Sequence, residues 1–144
     1  MSKSTSKGTS KRTVTRKKKP ALPAQVTEAV KAAVSKKAEQ LAVLDLRKAA
    51  GFTDFFVIAT GANARQIRAI AEGVEDALLK LHVKPSHTEG YERTGWILLD
   101  YFDFVVHVFS RDSRAFYGLE RLWGSAVTVD VSSLTDEPPT ARLA

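Results

Sequence analysis

The sequence predicts an α/β domain in which a central mixed sheet of about five strands is flanked by helices, and three stretches carry that prediction. DFFVIAT, 54–60, is a continuous β-branched and aromatic run closed by Gly61, the pattern of a strand covered on both faces. Ile67, Ile70, Ala71, Val74, Leu78 and Leu81 then recur at helical spacing. WILLDYFDFVVHVF, 96–109, is apolar except for Asp100, Asp103 and His107, and it is too long for one ordinary strand. A tight turn at DYFD divides it into strands over 95–100 and 104–109.

The remaining elements follow in chain order. Pro20 and Pro23 mark the start of the domain, and Val26, Ala29, Val30, Ala33 and Val34 predict a helix over 24–39 with one apolar stripe. AVLDLR reads as a short strand with Val43 and one leucine inward. Asn63, three residues before Gln66, forms a variant of the capping box at the start of the second helix. A loop holding Pro85 leads to a short strand over 87–90. After the hairpin, Phe116, Leu119, Leu122 and Trp123 make the apolar face of a short helix ended by Gly124, and AVTVDV is a candidate edge strand. TDEPPTARLA has proline and charge without periodicity. The expected organisation is a disordered basic tail over 1–22, one domain over 23–131 and a flexible tail over 132–144.

Composition narrows the chemistry. The chain of 144 residues has no cysteine, which excludes disulfides, thiolate metal sites and cysteine nucleophiles. No apolar run approaches the roughly 20 residues of a membrane span, and the N-terminus lacks the apolar stretch of a secretory signal. A soluble, cytoplasmic protein is expected. The net charge of +6 is unevenly placed: eight of the 22 bases and none of the 16 acids lie in residues 1–19, leaving 14 bases against 16 acids elsewhere. That tail, ending in Arg16, Lys17, Lys18 and Lys19, has the composition of an arm that contacts RNA phosphates by releasing counterions. A solubilising leader is the plainer alternative.

Each candidate site in the sequence has a structural alternative. TGAN, 60–63, with Arg65 nearby, offers helix N–H groups to a phosphate, but it has only one glycine and no P-loop lysine, so a strand-to-helix turn is the stronger reading. Asp100 and Asp103 are spaced D-x-x-D; side chains in a strand repeat every two residues, so these acids do not share a face as a metal pair would. They flank the bend, where aspartate commonly bonds the local backbone. His107 shares a face with Val105 and Phe109 and reads as a hydrogen-bonded core or interface residue. His87 and Glu89 share a strand face, yet two ligands do not make a metal site. No metal and no cofactor is expected. Trp96, Tyr101, Phe102, Phe104 and Tyr117 remain as candidate aromatic anchors for a partner surface, against the alternative that they fill the core, as some of them must.

LDLRKAAGFTDFFVIATGANARQIRAIA, the pair EG at 89–90, WILLDYFDFVVHVF and RAFYGLERLW from Arg114 together resemble the iojap family, the ribosomal silencing factors called RsfS, over residues 25–125. The resemblance implies a non-catalytic protein that binds the large ribosomal subunit through ribosomal protein L-fourteen and blocks subunit joining, so repressing translation. It also implies a nucleotidyltransferase-like topology without the active site, and a homodimer off the ribosome. By position, it assigns the contact surface to Trp96, Asp100, Tyr101, Phe102 and Asp103, with Trp96 as anchor and the acids facing basic groups of the partner. Position 102 is often glycine in that family and is phenylalanine here. The alternatives are a small nucleotidyltransferase-like enzyme and a general RNA-binding protein driven by the tail.

Overall fold

A computed structural model describes residues 22–93 and 95–135; the basic tail with Arg16, Lys17, Lys18 and Lys19 lies outside the described residues. In chain order the elements are α1 (Ala24–Ser35), β1 (Glu39–Asp45), β2 (Phe55–Gly61), α2 (Ala64–Leu79), β3 (His87–Glu89), β4 (Trp96–Asp100), β5 (Phe104–Ser110), α3 (Arg111–Tyr117), α4 (Leu119–Leu122), β6 (Val127–Val129) and α5 (Ser132–Thr135). Among the described residues the sheet has six strands in the order β3-β4-β5-β2-β1-β6, close to the expected number. The candidate edge strand in AVTVDV is β6, whose three residues pair antiparallel with Val43 to Asp45.

Every residue of β2 is buried, as its unbroken apolar run requires at the centre of a covered sheet. β2 and β5 pair in parallel from Phe55 opposite Phe104 to Gly61 opposite Ser110. The other pairings are antiparallel, so the sheet is mixed. Alternation then sorts the side chains. Phe55, Val57, Ala59, Phe104, Val106 and Val108 point to the face covered by α1 and α2. Phe56, Ile58, Val105 and Phe109 point to the other.

The two long helices seal the first face. α1 buries Val26, Ala29, Val30 and Ala33, and α2 buries Ile67, Ile70, Ala71, Val74 and Leu78. Each large side chain among these contributes about 1.5–3 kcal/mol by leaving water. α1 stops at Ser35, earlier than the expected 39, because the chain turns left-handed at Lys37 (φ 67°). Ala38 N–H donates to Ala33 O at 3.1 Å and Lys37 N–H to Val34 O at 2.9 Å, which satisfies the last carbonyls. α2 ends alike: His82 has φ 64°, Val83 N–H donates to Leu78 O and His82 N–H to Leu79 O.

The TGAN turn is tied by its own side chains. Asn63 Oδ1 accepts Gln66 N–H at 2.8 Å, and Gln66 Oε1 accepts Ala62 N–H at 2.6 Å. Gln66 Nε2 also donates to Lys36 O and Lys37 O, joining the start of α2 to the end of α1. A Cβ on Gly61 would lie 2.8 Å from Ile67 Cγ1, so glycine is needed here for close strand-to-helix approach. Two N–H groups near the helix start are thus occupied, and the turn reading accounts for the glycine.

Three expected features differ. The helix over 116–123 is broken at Gly118 (φ 52°) into α3 and α4. Tyr101 and Phe104 are buried rather than displayed. Ser132–Thr135 form a helical turn packed on α1, within the span assigned from composition to a loose tail. No described helix is long and apolar enough to cross a membrane.

Candidate protein-docking surface

The second sheet face has much less cover than the first. Leu44, Leu46, Phe56, Ile58, Val105, Phe109 and Leu119 form its buried centre, with Trp96, Leu98 and Trp123 half-buried at its margin. Besides Leu46, Ala49 and Ala50 of the loop after β1, it is covered among the described residues by the short α3 and α4 segments. They are held there by Arg114, a buried guanidinium that donates to Thr60 Oγ1 at 2.7 Å and in bidentate fashion to Glu120 at 2.7 and 3.0 Å. The hydrogen bonds from Arg114 lower the Glu120 carboxyl below its ordinary pKa. Arg111 makes a second bidentate pair, with Glu39 of β1, at 2.6 and 2.8 Å.

Strand parity decides which predicted residues can act together. On β4, Trp96, Leu98 and Asp100 take the open face, while Ile97 and Leu99 face the helices. Tyr101 continues the helix-facing series. It is 7% exposed, stacks on Phe104 with centroids 4.9 Å apart, and its phenol, desolvated by burial, is raised above its ordinary pKa. Its hydroxyl has no hydrogen-bond partner among the described residues. The structure therefore separates Tyr101 from Trp96 and Asp100 and brings the latter two together with Leu98, a residue the sequence reading did not single out.

The bend is built as an Asx turn. Asp100 Oδ1 accepts Phe102 N–H at 2.8 Å, and Tyr101 N–H donates to Phe104 O at 2.9 Å. Thr53 Oγ1 donates to Phe102 O and Asp54 N–H donates to Asp103 O, so the bend is also tied to the loop before β2. Phe102 is left-handed at φ 76° and 74% exposed; Asp103 is exposed beside it. Asp100 and Asp103 thus stand on either side of the turn, with one carboxylate bonded to the backbone. Among the described residues no group of three or more His, Cys, Asp or Glu is placed to hold a metal. His87 and Glu89 do share a face, with Nε2 and Oε2 2.7 Å apart.

Aromatic rings continue the surface from Trp96. Its indole packs on Phe109 at 5.0 Å and Tyr117 at 4.5 Å between centroids, and its Nε1–H donates to His107 Nδ1 at 3.1 Å. His107 is 4% exposed, and burial lowers its pKa to about 3. Beyond it lie Phe56, Phe52 and Trp123 in mutual ring contact. Phe116 and Leu122 are 76% and 69% exposed, although their spacing suggested a core face. The break at Gly118 turns them outward. A glycine inside an apolar helical pattern was the available signal; nothing in the sequence marked Phe52.

A model of the family described as "Ribosomal silencing factor during starvation" matches residues 19–143. Ribosomal silencing factor RsfS of Halalkalibacterium halodurans is 41% identical over 106 residues, 74% of this chain and 91% of that protein. The RsfS of Bacillus subtilis is 36% identical over 96 residues, 67% of this chain and 81% of its own length. A crystal structure of a protein from Chromobacterium violaceum superposes with a TM-score of 0.68 at 33% identity, covering 69% of this chain and 83% of that one. With the family model spanning most of the chain and the mixed sheet shared with a solved relative, this protein is a member of the ribosomal silencing factor family.

Proposed function

We propose that this chain represses translation by docking on the large ribosomal subunit through the open sheet face, with ribosomal protein L-fourteen as its contact. Bound there, it excludes the small subunit sterically. The observation that carries the reading is the alignment of Trp96, Leu98 and Asp100 on one face of β4, beside exposed Phe102, Asp103 and Tyr117. A half-buried indole ringed by polar and apolar neighbours has the make-up of an interface anchor, and the acids complement a basic partner. The action is that of a binding protein, set by affinity and concentration rather than by turnover. The names of the relatives support regulation over catalysis, and the proposed site of action is the cytoplasm, as for a bacterial relative.

The test is co-sedimentation of full-length protein with separated large subunits. Trp96→Ala is expected to weaken binding by roughly 30-fold or more, the range of an interface hot spot, while circular dichroism shows an intact fold. Leu98→Asp, on the same face, should do likewise, and Glu92→Ala, an exposed residue between β3 and β4, should not. Undiminished binding by both Trp96→Ala and Leu98→Asp would remove this face as the docking surface.

A further inference from the structure

His107 lies within the buried centre of the second sheet face, between Val105 and Phe109, and is almost wholly buried. An indole nitrogen can only donate. The Nδ1 atom that receives Trp96 Nε1–H at 3.1 Å therefore carries no proton, and the neutral ring has its hydrogen on Nε2. That Nε2 has no hydrogen-bond partner among the described residues. A buried N–H without an acceptor opposes folding, and Phe56 and Phe109, with rings 4.5 and 5.9 Å away, would accept an apolar neighbour in its place. What imidazole supplies and leucine does not is a lone pair aimed at the indole.

Trp96 reaches that lone pair diagonally across the hairpin. Trp96 stands opposite Phe109, and His107 stands opposite Leu98. Packing on Phe109 and Tyr117 limits the tilt of the indole plane but bonds no polar atom of it, so these contacts do not by themselves fix where its N–H edge points. The N–H···N bond does. Burial keeps the imidazole uncharged, so its acceptor is present throughout the neutral range.

We propose that His107 is a positioning residue for recognition: its Nδ1 lone pair holds the Trp96 indole in the one orientation that the partner meets. This rests on the docking surface proposed above and adds the buried group that orients its anchor.

Full-length His107→Leu, His107→Gln, Trp96→Phe and the double variant Trp96→Phe/His107→Leu separate the possibilities. His107→Leu should melt at or above the wild-type temperature, lose the downfield-shifted Nε1–H resonance of Trp96, and bind large subunits roughly five- to tenfold more weakly. His107→Gln, whose amide oxygen can accept the same hydrogen, should recover most of that affinity. In the Trp96→Phe background, His107→Leu should add no further loss. Normal binding by His107→Leu beside weak binding by Trp96→Ala overturns the positioning role alone. Stability and binding that fall together in His107→Leu, without rescue by glutamine, also overturn it and make His107 a core residue. Normal binding by Trp96→Ala removes the anchor, and this proposal with it.

Discussion

Phe102 holds a backbone conformation that suits glycine, at the most exposed point of the bend. A left-handed L-residue costs about 1–2 kcal/mol, and at 74% exposure the phenyl ring recovers little of that by burial. The Asx bond from Asp100 and the tie to Thr53 hold the chain in place regardless. Phe102→Gly should therefore raise stability by about 0.5 kcal/mol after the extra unfolded-state entropy of glycine is set against the relieved strain. A higher urea midpoint at unchanged slope would show it. Any accompanying loss of ribosome affinity measures the phenyl contact separately from the strain. Strand parity, which the sequence reading applied only to Asp100 and Asp103, also puts Trp96 and Asp100 on one face and Tyr101 on the other. The resemblance instead grouped all three by position along the chain. The Trp96–His107 bond was not readable, because a diagonal contact depends on the register of β4 against β5.

Helix ends show a similar mismatch between residue and conformation. Lys37 after α1 and His82 after α2 both occupy the left-handed position of a C-terminal cap that glycine fills best, and both are exposed. Lys37→Gly and His82→Gly should each stabilise the fold by roughly 0.5–1 kcal/mol, additively since the sites share no partner. Thermal unfolding of the single and double variants checks both magnitude and additivity. Periodicity located α1 and α2 because their buried residues repeat cleanly, but it carried α1 past its true end. The caps here lack the glycine that announces one. In α3 and α4 the opposite happened: Gly118 was present inside an apolar pattern, and the apolar residues on either side of it are exposed because the chain breaks there.

On the scale of the molecule, the two faces of the sheet have different cover. Two amphipathic helices of ordinary length close one face, and their hydrophobic spacing made that half of the architecture legible. The other face is covered by short segments fixed through Arg114 and Arg111, and neither long-range pair leaves a local sequence signature. Charge is also divided, with eight bases in residues 1–19. If that tail adds phosphate contacts beside the docked domain, deleting residues 1–19 should weaken large-subunit binding modestly and flatten the plot of log affinity against log salt. An unchanged slope would assign the tail to solubility. Trp96→Ala should lower affinity at every salt concentration and leave the slope in place.

The parallel pairing of β2 with β5 sets an order of assembly. The central ladder cannot close until α2, β3 and β4 have been synthesised between its two strands, and such distant pairing is slow to nucleate. A growing chain can shape α1, β1, β2 and α2 early. The face proposed to meet the ribosome, built from β4, β5 and the helices after them, comes into being only once β5 has followed β2, so an emerging copy cannot dock through it while its first strands stand alone.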